Sequence, residues 1–399
     1  MGTVSDVFEE IDRLEPRIIK LTQEMVAIPS PNPPGNEVEI SNYIIDKLDS
    51  FGFETQQVES IPERMNTLGV LHGSKGDSGL VWNGHVDTVP VGNPDYWTVD
   101  PLGGEIKDGL IFGRGSGDMK GAIASAMVAA IALQEAGVEL SGDLHIHAVA
   151  DEEYFGRYGS KYLCEKGYLK GINMGIVGEA STRDGKIMAR PAVRGRTLVR
   201  VHVRGRSAHS SRPQLGINAV LKMSKILLAI DDTKFNFPKH KILPDPTIAP
   251  GTMIKGGTKD NIIPEECEAI TDVRTVPGMK PEGVLGDIRK IVEDLRIEDP
   301  EMEATVTTPL NKPPSEIPVT HPLYMAADRA TKEVMGYALE PVGASGSNDT
   351  SYLTNIAGIP AMAFGPGGGN AHAPDEWVDV GTLVNFAKIY AYMFMDILG

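Results

Sequence analysis

The sequence predicts an α/β protein with a mixed, partly parallel sheet flanked by helices and a smaller α+β unit inserted into it. Short apolar runs alternate with helical stretches in the first half of the chain, which is typical of a partly parallel sheet. These runs lie at residues 68–71, 80–82, 110–112, 144–150 and 174–177. A different order, strand, helix, strand, strand, helix, occupies the middle of the chain and predicts a separate compact unit.

Length and charge narrow the class of protein. The 399 residues are enough for two domains, and the formal net charge of -16 argues against nucleic acid and anionic membranes as partners. Four acidic residues among the first twelve are atypical of a signal peptide, so we expect a cytoplasmic location. Cys164 and Cys267 lie too far apart to indicate a disulfide framework or a cysteine-based zinc site.

Helical periodicity precedes the first strand. Apolar residues recur at three- and four-residue spacing over residues 5–27, where Pro16 predicts a start or a kink, and again over residues 38–51. The Ser-Pro-Asn-Pro-Pro-Gly segment at residues 30–35 interrupts them and forms either a linker or the rim of a site. Small residues at 121–136 predict a helix that packs closely on the sheet.

The inserted unit is predicted at residues 192–309, between two parts of a discontinuous catalytic domain at 1–191 and 310–399. Within it, strands are predicted at 197–204 and 269–273 and helices at 216–230 and 283–295. Helices at 324–335 and 380–397, with a strand at 361–364, then return to the pattern of the first part.

The segment Gly-His-Val-Asp-Thr-Val-Pro at residues 84–90 follows a strand-like run. His85 and Asp87 are two residues apart, so on an extended backbone they share a face. A carboxylate commonly accepts the hydrogen bond from the second ring nitrogen of a histidine ligand. His85 is therefore a candidate metal ligand oriented by Asp87, and a surface turn is the alternative interpretation.

The glycine-rich segment 113–121 lies between a strand and a helix, where a nucleotide-binding loop would lie. It has no Gly-Lys-Ser/Thr, and Asp118 would place a negative charge where phosphate binds. The Asp118 carboxylate suits a cation instead, and its two oxygens can bridge two metals about 3.5–4 Å apart.

Three carboxylates, Asp151, Glu152 and Glu153, follow the strand at 144–150 directly. Such a run at a strand end resists dehydration unless a cation is present. We expect one of these carboxylates to bind metal and a neighbour to act as a general base. Glu179 follows the next strand in the same way, with a helix-capping or surface role as its alternative.

His372 is the last candidate ligand and lies in a glycine-rich loop at residues 365–376. Glycines there, including Gly367 and Gly368, allow backbone amides to approach a bound group closely. His145 and His147 precede the end of their strand and are interpreted as structural.

Taken in order, these motifs resemble the signature of the dinuclear zinc amidohydrolase and peptidase family that includes acetylornithine deacetylase, succinyl-diaminopimelate desuccinylase, aminoacylase and glutamate carboxypeptidase. The motifs are 84–90, 113–121, 151–153, 178–179 and His372. The resemblance covers almost the whole chain. It implies a zinc-peptidase-like catalytic domain with an inserted lid and dimerisation domain.

The resemblance also implies a role for each candidate residue. His85 and Glu179 would hold one metal, Glu153 and His372 the other, and Asp118 would bridge both, while Glu152 would be the general base and Asp87 would support His85. The implied cofactors are two divalent ions, with zinc favoured by the nitrogen and oxygen donors and cobalt or manganese as alternatives.

Residues of the inserted unit resemble the substrate-contact regions of the family. His209, within 204–210, would help to polarise the scissile carbonyl, either in its own or in a partner subunit's active site, and a plain loop residue is the alternative. Asn261 and Arg274 would contact substrate, as would Gly367 and Gly368. Arg274 suits a substrate carboxylate, with an ion pair to Asp272 as its alternative. Segment 346–350 departs from the commoner Gly-Gly-Thr-Asp loop.

The expected reaction is hydrolysis of the amide bond in a small N-acyl amino acid, with the inserted unit closing over the substrate. A dipeptidase or carboxypeptidase is the alternative within the enzyme class. A catalytically silent protein that binds metal or amino acids is the alternative from another class. The resemblance also implies a homodimer formed through the inserted unit.

Overall fold

A computed structural model describes residues 2–76, 78–183 and 185–399. The chain divides into two compact units. The first comprises Met1–Ala192, Glu316–Gly343 and Asn348–Gly399, and the second comprises Val193–Ser315 and Ala344–Ser347. The main segment of the second unit ends at residue 315 rather than at the predicted residue 309. Its last strand, Glu303–Lys312, continues past residue 309. A short segment at 344–347, which the sequence assigned to the catalytic domain, also belongs to the second unit.

The first unit is built around a mixed, nine-stranded sheet, as the sequence predicted. Gly79–His85 runs parallel to both of its neighbours, and Ala361–Gly365 is parallel to Met174–Ala180. The strand order is Glu54–Ile61, Arg64–Leu71, Asp143–Val149, Gly79–His85, Met174–Ala180, Ala361–Gly365, Ala189–Val193 and Ser315–Glu316, with Pro341–Ala344 also pairing with Ala189–Val193.

Helices cover both faces of this sheet. They are Val4–Arg13, Glu15–Ala27, Val38–Ser50, Gly121–Glu135, Ser160–Lys166, Pro322–Met335, Thr350–Asn355 and Val380–Leu398. Alternate side chains of one central strand enter separate cores, since Leu80 and Trp82 pack on one face and Val81 packs on the other. The predicted helix at 5–27 is two helices that meet at Leu14, with Pro16 in the first turn of the second.

One helical segment in the described part of the chain, Ser116–Glu135, is long and apolar enough to cross a membrane. However, 89% of its most apolar window is buried within the protein. Its alanine-rich sequence lets it pack closely against Glu15–Ala27 and Val380–Leu398, so core packing accounts for its composition.

A small antiparallel sheet brings two loops of the first unit together. Its strands, in order, are Gly368–Gly369, Trp377–Asp379, Leu110–Phe112 and Ile106–Lys107. Leu110–Phe112, which the sequence placed in the alternating strand pattern of the main sheet, therefore belongs to a different sheet. The pairing of Trp377 with Phe112 joins the loop that contains Asp118 to the loop that contains His372.

The second unit is an α+β sandwich with a four-stranded antiparallel sheet. The strand order is Thr247–Gly256, Glu266–Thr275, Gly195–Arg204 and Glu303–Lys312, and the helices Ala219–Asp232 and Pro281–Glu298 cover one face. Val199, Val201 and Val203 alternate inward from the central strand and pack with Met223 and Ile288 of the two helices. This alternation is the pattern of a sheet with one buried face.

Candidate metal centre

The predicted ligands converge at the carboxyl ends of neighbouring parallel strands. His85 ends one strand, the acidic run 151–153 follows the adjacent strand Asp143–Val149, and Glu179 lies near the end of Met174–Ala180. Because parallel strands end at the same edge of a sheet, side chains that are distant in sequence meet there. Asp118 and His372 reach the same place from the two loops joined by the small sheet.

Asp118 lies between the two histidines. Its Oδ1 atom is 3.1 Å from Nε2 of His85, and its Oδ2 atom is 3.3 Å from Nε2 of His372. Nε2 of His372 is also 3.2 Å from a carboxylate oxygen of Glu153, and Nε2 of His85 is 3.9 Å from Glu179. One carboxylate thus connects two half-sites, each with its own histidine.

Two overlapping groups of side chains bring their donor atoms close enough to share a cation. His85, Glu152 and Glu179 form one group, and His85, Asp118 and Glu153 form the other, with the donor atoms of each group within 4.8 Å of one another. The His85 side chain is buried (1% exposed), whereas the His372 side chain is 54% exposed. The centre is therefore closed on the His85 side and open to solvent on the His372 side.

The electrostatics of the cluster favour a bound cation. Burial raises the pKa of Glu179 well above its usual range, and the neighbouring Asp118 and Glu152 carboxylates act in the same direction. Burial likewise raises the pKa of Glu153 to about 7. Hydrogen bonds to Asp118 and Glu153 raise the pKa of His372 to about 10. Glutamates that resist ionisation beside an imidazole that is held as a cation indicate an excess of negative charge, which a divalent ion offsets.

The donor set fits divalent metal ions. Two imidazole nitrogens and four carboxylates surround a small volume, and no described cysteine is among them. Imidazole with carboxylate is a common zinc donor combination that cobalt and manganese also accept. The residues present can therefore hold the ions that the sequence analysis implied.

Asp87 supports His85 in a different way from the one predicted. Nδ1 of His85 lies 2.8 Å from the backbone carbonyl oxygen of Asp87, whereas the nearest carboxylate oxygen is 3.6 Å away. The carboxylate instead accepts hydrogen bonds from the backbone N–H groups of Glu152 at 3.0 Å and Glu153 at 3.1 Å. Asp87 thus fixes the His85 ring through its main chain and the acidic turn through its side chain.

A buried polar network behind Asp87 was missed by the sequence analysis. Nδ2 of Asn32 donates to the carboxylates of Asp87 at 2.9 Å and of Asp151 at 3.1 Å. The Arg64 guanidinium donates to Asn32 at 3.0 Å and to Glu37 at 2.6 Å. These side chains are all buried. The proline-rich loop that carries Asn32 is therefore a wall of the site as well as a linker.

Glu376 was also missed, although it lies only four residues after His372. Its carboxylate accepts hydrogen bonds from the backbone N–H groups of Gly115, Gly117 and Asp118 at 3.0–3.1 Å. It also forms a buried ion pair with Arg114, which donates to the carbonyl oxygen of Ala373 at 3.2 Å. This pair ties the Asp118 loop to the His372 loop.

The residues predicted in the second unit fall into two places, with His209 beside the segment that carries Asn261, and with Arg274 beside Asp272. His209 is exposed, its Nδ1 lies 2.8 Å from the Ser211 hydroxyl, and the neighbouring Ser210 N–H donates to the Asn261 carbonyl oxygen at 3.0 Å. Nε of Arg274 donates to Asp272 at 2.7 Å. The ion pair that stood as the alternative for Arg274 is therefore present.

Close packing leaves no space for a side chain at Gly367 or Gly368. A Cβ atom at Gly367 would clash with the Thr182 hydroxyl, and one at Gly368 would clash with the backbone carbonyl oxygen of Trp377. Close approach of neighbouring chain segments requires both glycines. Their contact with substrate remains a prediction.

Two relatives match nearly the whole length of this chain in sequence. The N-formyl-4-amino-5-aminomethyl-2-methylpyrimidine deformylase of Bacillus subtilis is 27% identical over 410 residues, covering 96% of this chain and 94% of the relative. A probable succinyl-diaminopimelate desuccinylase of Staphylococcus epidermidis is 26% identical over 403 residues, covering 94% and 96%.

A solved structure shares the fold over almost the full length of the chain. The YXEP protein of Bacillus subtilis, described as a dinuclear metal binding peptidase from the M20 family, superimposes with a TM-score of 0.73 and 17% identity, covering 97% of this chain and 99% of that one. Peptidase family M20/M25/M40 matches residues 81–396. The chain is therefore an amide-bond hydrolase that belongs to Peptidase family M20/M25/M40.

Proposed function

We propose that this protein is a metal-dependent hydrolase that removes the acyl group from a small N-acyl amino acid. The observation that carries the proposal is the position of Asp118 between His85 and His372, with Glu152 in the same cluster. Relatives named as a deformylase and a desuccinylase, which match nearly the whole chain, support acyl removal.

The ligand assignment follows the two half-sites. His85 and Glu179 would hold one divalent ion, Glu153 and His372 would hold the other, and Asp118 would contact both. Zinc is the proposed metal, with cobalt or manganese as substitutes. When bound, such ions supply Lewis acidity, which polarises an amide carbonyl and makes water a better acid.

Glu152 is the proposed general base. Its backbone N–H is fixed by the Asp87 carboxylate, and its side chain lies in one donor group with His85 and Glu179. A carboxylate at this position accepts a proton from the attacking water and returns it to the nitrogen of the departing amine. The hydrogen bond to Asp87 would hold the main chain of Glu152 in place for both transfers.

Cleavage of short peptides is the second candidate function. It is favoured by the close structural similarity to a dinuclear metal binding peptidase. Both functions break an amide bond with the same groups, so they differ only in the substrate. A dipeptidase or carboxypeptidase would require a free peptide terminus, and a deacylase would require the acyl group.

A substrate panel with metal quantified per chain tests the proposal. Purified protein is loaded with zinc and assayed on N-formyl, N-acetyl and N-succinyl amino acids and on dipeptides. We expect about two metal ions per chain and preferred turnover of one acyl class. Faster turnover of dipeptides would favour the peptidase, and ligand binding without hydrolysis would contradict both functions.

His209 and Asn261 keep their proposed roles in substrate recognition, whereas Arg274 would have to leave its ion pair with Asp272 to contact substrate. The test is His209→Ala, which should lower kcat while leaving metal content unchanged if the imidazole polarises the carbonyl. Ser211→Ala is a matched control, because it removes only the hydroxyl that lies 2.8 Å from His209.

A homodimer formed through the second unit is part of the proposal. Thr247–Gly256 is an edge strand that carries the exposed side chains Met253 and Ile254, and the neighbouring helix Ala219–Asp232 exposes Leu221 and Leu228. Exposed apolar groups beside an unpaired strand edge suit a second copy of the chain. Solution mass should show a dimer, and Leu228→Glu should weaken it. We further propose a cytoplasmic protein that binds neither nucleic acid nor membranes, in keeping with its net charge.

A further inference from the structure

Arg190 is a partly buried cation that lacks the partners that the other buried cations have. Its Nε atom is buried without a hydrogen-bond acceptor, and no ion pair with a carboxylate of the described residues is formed. By contrast, Arg64 pairs with Glu37, Arg114 pairs with Glu376, and Lys120 donates to two backbone carbonyl oxygens. Burying a polar atom without an acceptor is costly, so the unpartnered Nε of Arg190 needs an explanation, and a bound anion is one.

Arg190 lies close to the metal centre along the sheet. It pairs in register with Ala363, and Ala363 pairs with Val177, which is two residues before Glu179. Two strand spacings separate Arg190 from the strand that carries this ligand, a distance of about 10 Å. A long arginine side chain thus starts within reach of the space in front of the centre.

The electrostatic surroundings of Arg190 are compatible with a bound anion. Burial lowers the pKa of its guanidinium, and the nearby Arg183 guanidinium acts in the same direction, while the Glu179 carboxylate opposes them. Burial and the like charge of Arg183 therefore both disfavour the charged guanidinium, and the carboxylate that offsets them is the proposed metal ligand Glu179. Binding of a metal would take up much of the negative charge of Glu179 and leave the arginines less compensated.

Given the proposed amide substrate, we propose that Arg190 binds a carboxylate group of that substrate. Guanidinium and carboxylate form paired, charge-assisted hydrogen bonds, which fix orientation as well as position. The carboxylate belongs either to the amino acid portion or to a dicarboxylic acyl group such as succinyl. Arg274, the residue that the sequence suggested for this task, already donates to Asp272.

Ligand binding to a chemically silent protein tests this inference without relying on turnover. Zinc-loaded Glu152→Gln and Glu152→Gln/Arg190→Gln proteins are titrated calorimetrically with three compounds. N-acetyl-L-alanine carries its carboxylate on the amino acid, N-succinyl-L-alaninamide carries it on the acyl group, and N-acetyl-L-alaninamide has none. We expect one of the two acids to bind Glu152→Gln roughly ten-fold to a hundred-fold more tightly than the neutral amide.

Arg190→Gln should abolish that preference and leave the affinity for the neutral amide within about two-fold. The acid that loses affinity identifies which carboxylate is bound. Arg190→Lys keeps the charge without the paired geometry and should retain part of the preference. Arg296→Gln, which removes an exposed guanidinium of the second unit, should change nothing. Circular dichroism and metal content establish that each variant is folded and loaded.

Two results would overturn the inference. One is a preference for the acid that survives in Glu152→Gln/Arg190→Gln, and the other is equal binding of acids and amide by Glu152→Gln. The proposed function fails separately, if zinc-loaded wild-type protein hydrolyses no acyl amino acid. Loss of turnover and loss of carboxylate preference are therefore read from different measurements.

Discussion

The backbone N–H of Glu152 donates a hydrogen bond of 3.0 Å to the side-chain carboxylate of Asp87. Asp87, which follows the strand Gly79–His85, thereby holds the main chain of the proposed general base. The same carboxylate also accepts a hydrogen bond from the backbone N–H of Glu153, and the backbone carbonyl oxygen of Asp87 contacts Nδ1 of His85. One residue therefore holds the main chain of the proposed base and contacts a proposed ligand of each half-site.

Asp87→Asn should lower turnover while the protein stays folded. The asparagine side chain has one acceptor oxygen for three donors, the N–H groups of Glu152 and Glu153 and the amide of Asn32. We expect kcat to fall about 10–100-fold, which is typical for the loss of a group that orients ligands. Asp95→Asn changes an exposed aspartate and serves as the control. Steady-state kinetics decide, and equal kcat values for the two variants would contradict the role of Asp87.

Glu376→Gln should destabilise the first unit. The glutamine amide would face the N–H groups of Gly115, Gly117 and Asp118, and Arg114 would lose its buried counter-charge. Breaking a buried ion pair costs about 3–5 kcal/mol of unfolding free energy. The exposed pair of Glu340 with Lys186 offers a matched control, and Glu340→Gln should cost less than about 1 kcal/mol. Urea titration of both variants tests this, and similar midpoints would count against the role of Glu376.

The acid stability of the protein should depend on His147. Burial lowers its pKa to about 3 in the folded protein, with His145 acting in the same direction, against 6.5 in the unfolded chain. Below pH 6.5, this histidine therefore binds a proton in the unfolded chain, whereas in the folded protein it stays neutral until the pH approaches 3. The contribution of a neutral His147 is complete above pH 6.5 and is lost as the pH falls towards 3.

His147→Gln should reduce this acid sensitivity. Between pH 7.5 and pH 5, the variant is expected to lose about 1–2 kcal/mol less unfolding free energy than the wild type. His72→Gln is a control of opposite sign, because a hydrogen bond with Glu54 raises the pKa of the exposed His72. Equal losses in wild type and His147→Gln, measured by urea unfolding at both pH values, would show that His147 is not held neutral.

Removal of metal should destabilise the protein as well as inactivate it. Without the ions, the buried Glu153 and Glu179 must stay protonated or repel Asp118. A ligand at a hundred times its Kd stabilises the folded state by about 2.7 kcal/mol. Dialysis against a chelator should therefore lower Tm, and zinc should restore it. An unchanged Tm after chelation and after addition of zinc would contradict a metal centre at these residues.

The sequence indicated the residues of the candidate centre through their local position and through the order of the motifs. Each predicted ligand lies at or near the end of a strand or in a glycine-rich loop, and the edge of a parallel sheet brings such residues together. The ligand roles of Asp118 and Glu179 came from the resemblance of the ordered motifs to a known family, and both side chains lie in groups that could hold a cation. The same reasoning could not place Leu110–Phe112, because an apolar run does not specify which sheet it joins.

The supporting residues could not be found from the sequence, because their partners are distant along the chain. Glu376 meets Gly115 because the small sheet joins their two loops, and Arg64 meets Asn32 because distant chain segments pack together there. The sequence gives no sign that Arg190 differs from other strand residues. Only the structure shows that its buried Nε atom has no hydrogen-bond acceptor among the described residues. The use of the Asp87 carbonyl rather than its carboxylate depends on backbone geometry that residue spacing does not determine.

Turnover and metal content of Glu152→Gln test the central claim most directly. The substitution keeps the size of the side chain and removes its ability to accept a proton from water. We predict about two metal ions per chain, as in the wild type, and a kcat that is lower by about 10²–10⁴-fold. Near-normal turnover by the metal-loaded variant would contradict the assignment of Glu152 as the general base.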